Sequence, residues 1–286
     1  MKLAFSKMHG LGNDFVIINN LELRHAFSAD EISYLADRKF GIGCDQLLLI
    51  DPASDGISDF FYRIYNSDGS IAGQCGNGAR CFIRYVLERG LTDKTVIQLQ
   101  TLGRVITGQR LADGEIEVDM GVPDFTPRAL PFKHEPAIEY QLDFNGQTVQ
   151  FAALSMGNPH VVITLDNLER LADENYLALL GEHLQASELF PESVNVNFIY
   201  KISDNQLGMR TYERGCGFTL ACGSGACASA AVALRAGLVE APVQVFMPGG
   251  ELILRYVGTN LLMRGSATLV FDGEIELEVV PQGTLS

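Results

Sequence analysis

The chain has 286 residues, 47% hydrophobic and 20% charged, with 29 glycines, which argues for a folded protein of two domains with a sizeable core and against disorder. A formal net charge of −14 argues against nucleic acid and anionic membranes as partners, without excluding a small anionic ligand held by local amides and arginines. No apolar run approaches the roughly 20 residues of a bilayer span, and MKLAFSKMHG lacks the apolar core of a signal peptide, so a cytoplasmic location with reduced cysteines is expected.

Taken in order, Phe15 to Ile18 reads as a β-rich run. A helix is predicted from Gly76 to Arg89, with Ala79, Phe82, Ile83, Val86 and Leu87 on one face and Gly90 at the left-handed stop. Val96 to Gln100 reads as a strand, and DGEIEVDM at 113–120 alternates with period two. Pro123, Pro127, Pro131 and Pro136 then interrupt regular structure. They set the expected boundary near Gly121 to Pro136, between an N-terminal lobe at 1–121 and a C-terminal lobe at 122–286. The second lobe repeats the pattern with a strand at Val161 to Thr164, an Ala-rich helix at Gly223 to Ala236 stopped by Gly237, and a strand at Val243 to Met247. That second helix is expected to be the more buried. The segment GEIELEVV belongs to a last strand around Thr268 to Val280, within about 266–286, which is a candidate to pair with the first lobe.

The resemblance between halves is an internal repeat. Arg63, Tyr65, Cys75, Gly76, Gly78, Ala79, Gly90, Leu91, Val96 and Gly103 recur 147 positions later as Arg210, Tyr212, Cys222, Gly223, Gly225, Ala226, Gly237, Leu238, Val243 and Gly250. Upstream, Gly12-Asn13-Asp14-Phe15-Val16-Ile17 matches Gly157-Asn158-Pro159-His160-Val161-Val162 at an offset of 145. The predicted class is α+β, two similar pseudo-symmetric lobes from a duplication, each a β-rich sheet around a central helix.

Cys75 in QCGNGAR and Cys222 in ACGSGAC each precede a Gly-x-Gly turn that opens a helix. Exposed amides and the helix dipole at such a start favour thiolate over thiol and offer an anion nest, with glycines that let a carboxylate approach the backbone. Donors aimed at a carboxylate stabilise the charge that develops when the adjacent α-proton leaves. Inverting a stereocentre needs a proton carrier on each face, and a duplicated chain with one thiol per copy supplies two. Cys81 and Cys227, inside helices, read as buried small hydrophobes, while Cys44 and Cys216 stay undecided.

No C-x-x-C pair is present, so a metal site is not expected. The glycines lack dinucleotide and P-loop spacings, and the lysines at positions 2, 7, 39, 94, 133 and 201 lie outside the cysteine motifs, so no cofactor is implied. His160 offers a Cys–His pairing of the thiol-hydrolase kind, which would leave the second cysteine unexplained. Asn13, Gln46, Asn66, Asn77, Asn158 and Asn195 are individually loop-capping residues; with Glu213 and Arg214 they form a candidate set for a second amino and carboxylate group.

The segments KMHGLGNDF, ADRKFGIGCDQLL, YRIYNSDGS, QCGNGARC, SMGNPH, ESVNVNF, YERGCG and ACGSGACA together resemble the diaminopimelate epimerase family over nearly the whole chain. The resemblance implies an active site in the cleft between two α/β lobes that close around substrate, a homodimer, and cofactor-free interconversion of LL- and meso-2,6-diaminopimelate for lysine and peptidoglycan synthesis. It implies Cys75 and Cys222 as the acid/base pair, with Gly76, Asn77, Gly223 and Ser224 on the reacting carboxylate and amine. Asn13, Gln46, Asn66, Asn158, Asn195, Glu213 and Arg214 would bind substrate, mostly at its distal end, with His160 supporting. In Gly215-Cys216-Gly217-Phe218-Thr219, Phe218 stands where the family usually has a glutamate. The alternatives are a racemase of another amino acid, of the proline racemase kind, and a non-catalytic amino-acid-binding protein with chemistry disabled at the Phe218 loop.

Overall fold

A computed structural model describes residues 2–277 apart from Arg24 and Gln74, so positions 278–280 of the expected last strand lie outside the described residues. The chain runs through β1 (Lys2–Gly10), β2 (Asn13–Asn19), α1 (Ala29–Ala36), β3 (Gln46–Pro52), β4 (Phe60–Asn66), β5 (Ile71–Ala72), α2 (Gly76–Glu88), β6 (Val96–Gln100), β7 (Val105–Arg110) and β8 (Ile116–Asp119). It continues through β9 (Tyr140–Phe144), β10 (Gln147–Ser155), β11 (Pro159–Thr164), α3 (Leu168–Ala172), α4 (Glu174–Gln185), β12 (Asn195–Ser203), β13 (Gln206–Glu213) and β14 (Gly217–Phe218). The remaining elements are α5 (Gly223–Arg235), β15 (Val243–Met247), β16 (Gly250–Val257), β17 (Asn260–Gly265) and β18 (Thr268–Glu276). Contacts gather the segment ending at Gly10, Asp14–Thr107 and the segment starting at Ala267 into one unit, and Leu11–Asn13 with Gly108–Ser266 into a second.

In the first unit the apolar runs of β2 and β3 are buried almost end to end and pair in parallel, with Phe15 opposite Gln46, as strands covered on both faces do. The crossover is α1, which starts on a capping box between Ser28 and Glu31. Alternation along the strands sends Val16, Ile18, Leu47 and Leu49 against Ile32 and Leu35 of α1. Next to β3, β4 runs antiparallel with Gln46 opposite Asn66, and β6 pairs with β4 in parallel. Helix α2 lies against β1, β3 and β18, and its Phe82 ring meets Phe60 and Tyr62 edge-on at 6.0 and 5.1 Å. The last strand, β18, runs antiparallel to β1 from Lys2 opposite Glu276 to His9 opposite Thr268.

The second unit repeats this plan. Strands β11 and β12 pair in parallel with His160 opposite Asn195, β13 runs antiparallel to β12, and β15 joins β13 in parallel. Helices α3 and α4 occupy the crossover that α1 occupies in the first unit. Leu177, Leu180 and Leu184 of α4 pack on Val161, Ile163, Val196 and Phe198, side chains worth about 1.5–3 kcal/mol each when fully buried. Strands β16, β17 and β8 extend the sheet, and β10 to β13 with β15 to β17 surround α5. The α+β class, with two similar units each wrapped on a central helix, follows from this repeated order.

Both helix predictions hold to a residue at each end, and Gly90 and Gly237 take the left-handed conformation at φ 62° and 66°. The expectation that α5 is the more buried helix is not met. Both helices are buried along nearly their whole length, and α2 encloses the larger side chains, including Arg80, Phe82 and Tyr85, while α5 brings its strands close with alanines. Among the described residues no helix is long and apolar enough to cross a membrane.

Candidate active site

In the first unit Cys75 is the N-cap of α2, its extended backbone at φ −144° and ψ 115° turning the side chain back over the first turn. Its Sγ accepts the Gly78 N–H at 3.4 Å, and its carbonyl accepts both the Ala79 N–H at 2.9 Å and the Tyr62 hydroxyl at 3.0 Å. Gly78 is required here, because a Cβ would stand 2.2 Å from Tyr62 Oη. Asn77 is buried, with Oδ1 accepting from Nη2 of the fully buried Arg80 at 3.0 Å. Where β3 meets β4, Gln46 Nε2 donates to Asn66 Oδ1 and Asn66 Nδ2 to Ser70 Oγ, both at 3.0 Å. Asp14, which follows Asn13, pairs with Lys7 at 2.6 Å and Arg38 at 2.7 Å; against its burial, these cations hold its carboxyl well below the usual range.

In the second unit Cys222 caps α5 with similar backbone angles, φ −121° and ψ 108°, but is only 5% exposed. Its Sγ lies 3.6 Å from Ser224 Oγ, and the Gly225 amide and the Glu213 side chain both act on its ionisation. Glu213 Oε1 accepts the Thr219 hydroxyl at 2.6 Å. A Cβ at Gly225 would lie 2.4 Å from Asn197 Oδ1, so the bare backbone admits that amide to the helix start. From Ser224 a buried chain leads inward: Asn158 Nδ2 sits 3.3 Å from Ser224 Oγ, His160 Nε2 is 3.1 Å from Asn158 Oδ1, and Asn197 Nδ2 is 3.1 Å from His160 Nδ1. Asn195 serves the neighbouring turn, donating to the Pro159 carbonyl and accepting the Arg214 N–H, both at 3.0 Å. The Arg214 guanidinium donates to the Glu192 carbonyl at 2.9 Å.

These surroundings correct the expected ionisation of Cys222. Burial first, then the Glu213 carboxylate, push its thiol well above the ordinary value, outweighing the Ser224 hydroxyl and the Gly225 amide, which favour thiolate. A helix start alone therefore does not make this sulfur a thiolate. His160 is fully buried, and burial with the nearby Arg214 charge lowers its pKa to about 3, so it is neutral at pH 7. It reaches Cys222 through Asn158 and Ser224, an arrangement unlike a direct Cys–His pair.

Burial raises Cys44 and Cys81 to about 12, and Cys227 is also buried, whereas Cys216 is exposed. Phe218 packs edge-on against Tyr212 with ring centroids 5.2 Å apart, leaving Thr219 to hold Glu213. Tyr62, Arg80, Asn197, Thr211 and Thr219 were not singled out from the sequence. A signal for Asn197 was available, since Asn195 and Asn197 alternate within an apolar strand and so share a face.

The family model described as diaminopimelate epimerase matches residues 5–126 and 152–270. The diaminopimelate epimerase of Nitrosospira multiformis is 45% identical over 284 residues, covering 97% of this chain and 100% of that protein. That of Thioalkalivibrio sulfidiphilus is 45% identical over 282 residues, with 97% and 100% covered. Among solved structures, a hydroxyproline epimerase from Agrobacterium vitis superposes with a TM-score of 0.71 at 14% identity, covering 98% of this chain and 93% of that one. A probable proline racemase from Agrobacterium radiobacter gives 0.69 at 13% identity, covering 98% and 94%, and both share the fold. The chain therefore belongs to the diaminopimelate epimerase family of isomerases.

Proposed function

We propose that this protein interconverts LL- and meso-2,6-diaminopimelate without a cofactor, with Cys75 and Cys222 as the two proton carriers. The observation that carries the reading is that each unit presents a cysteine as the N-cap of a Gly-x-Gly helix start at equivalent positions of a repeated fold. In the reaction one sulfur, as thiolate, takes the α-proton, leaving its electron pair on the carbon and the adjacent carboxylate. The other, as thiol, then protonates the opposite face. The high thiol value of Cys222 supports its entering one direction of turnover as the proton donor. Amides at Gly76, Asn77, Gly223 and Ser224 suit the reacting carboxylate and amine, while Asn13, Gln46, Asn66, Asn158, Asn195, Glu213 and Arg214 are proposed to hold the rest of the substrate. His160 acts through Asn158. We place the enzyme in lysine and peptidoglycan precursor synthesis, a reading the relatives' activity supports, and, on the family resemblance, in the cytoplasm as a homodimer.

The test is solvent-deuterium incorporation at the α-carbon by the reduced, full-length protein with no added cofactor. Exchange into diaminopimelate but not proline is expected. Exchange into proline instead would favour the alternative racemase, and binding of diaminopimelate without exchange would overturn the catalytic reading.

A further inference from the structure

The buried side chains behind Cys222 form a chain whose direction is dictated from its inner end. The Val161 carbonyl only accepts, so the atom 2.9 Å from it is the amide nitrogen of Asn197, and Asn197 Oδ1 is left to accept the Thr211 hydroxyl at 3.1 Å. The second N–H of that amide meets His160 Nδ1 at 3.1 Å, which must therefore be the bare ring nitrogen. The hydrogen of the neutral imidazole then sits on Nε2 and donates to Asn158 Oδ1 at 3.1 Å. With its oxygen so engaged, Asn158 turns its amide nitrogen toward Ser224 Oγ at 3.3 Å, occupying a lone pair of that hydroxyl. The hydroxyl hydrogen is then what Ser224 offers Cys222 Sγ, 3.6 Å away, whenever that sulfur is a thiolate and can only accept. Asn197 and His160 are wholly buried, and an imidazolium there would set N–H against N–H.

We propose that Asn197 and Thr211 are positioning residues that hold His160 as its Nε2–H tautomer and thereby aim the Ser224 hydroxyl hydrogen at the Cys222 sulfur. The value of this to turnover rests on the proposed role of Cys222; the direction of the hydrogen bonds does not. The aimed hydroxyl and the Gly225 amide are the groups that offset burial and the Glu213 charge whenever this sulfur carries its negative charge.

Two measurements on the full-length protein test the proposal. Nitrogen-15 NMR of labelled histidine, with the resonance assigned by H160Q, should show a protonated Nε2 and bare Nδ1 that do not titrate between pH 8 and 5. A protonated Nδ1, or titration near an ordinary histidine value, would overturn it. Iodoacetamide alkylation read by peptide mass spectrometry should show Cys222 reacting about tenfold more slowly in N197L at a pH below its midpoint, with Cys75 unchanged as internal standard. Thr211→Val should give a smaller shift in the same direction and Thr211→Ser should restore the wild-type profile. An unchanged Cys222 profile, or equal slowing at both cysteines, contradicts the positioning role. Should N197L not fold, the Thr211 pair and the tautomer decide. If the alkylation shifts occur but wild-type protein exchanges no α-proton of diaminopimelate, the positioning stands and the proposed activity falls; exchange with no alkylation shift gives the reverse.

Discussion

Cys75 is half-buried at the start of α2, with Tyr62 on its carbonyl and the buried Arg80 one turn along, whereas Cys222 is buried at the start of α5 beside Glu213. The register makes the contrast sharp, because Glu213 stands 147 positions after Asn66, so one copy carries a carboxylate where the other carries a neutral amide bonded to Gln46. Beneath the helix starts the filling also differs. Gly78 faces the Tyr62 hydroxyl and Gly225 faces the Asn197 amide oxygen. Duplication kept the backbone that caps a cysteine and varied the groups that set its charge.

The largest effects test whether both copies are needed. Cys75→Ala and Cys222→Ala should each lower epimerisation at least about 10³-fold, measured as interconversion of pure stereoisomers, since either loss removes the carrier on one face. Retained inversion in one variant would break the two-carrier symmetry. Gly78→Ala and Gly225→Ala come next. Each places a Cβ inside 2.5 Å of a buried oxygen and should cost about 1–3 kcal/mol in denaturant unfolding, and a neutral result at either would mean that copy can yield its buried neighbour. The smallest effect separates the copies. With Glu213→Gln the carboxylate that disfavours the Cys222 thiolate is gone, so the pH midpoint for Cys222 alkylation should fall by about one unit while that of Cys75 stays. An unchanged midpoint at Cys222 would show that the Glu213 charge does not set the ionisation of this sulfur.

The repeat was legible in sequence because the residues that keep its register are those the backbone cannot replace. Gly78 and Gly225 tolerate no Cβ, Gly90 and Gly237 hold left-handed turns, and Cys75 and Cys222 cap helices. The parallel pairs β2–β3 and β11–β12 were half legible, as apolar runs whose partners the sequence does not name. Ionisation at Cys222 was misread because the helix start is a local feature, whereas burial and the approach of Glu213 are made by tertiary packing. For the same reason Asn158, His160 and Ser224 stood in the sequence as separate polar residues. Their linkage through Asn197 and Thr211, which come from two neighbouring strands, exists only once β11, β12 and β13 are side by side. Phe218 signalled a departure, and the structure gives it an apolar place against Tyr212.

The return of β18 to β1 bears on how the chain folds during synthesis. Residues at Lys2–Gly10 leave the ribosome long before Thr268–Glu276 and must wait for it, one of the longest sequence separations between paired strands among the described residues. The second unit, by contrast, takes almost all of its residues from the continuous stretch Gly108–Ser266, so its sheet has every strand available before β18 emerges. The half that comes first in chain order is thus the later one to finish, and until β18 emerges the β1 edge is open to pairing with other chains, a window in which chaperone binding or slowed translation would have its greatest effect on yield.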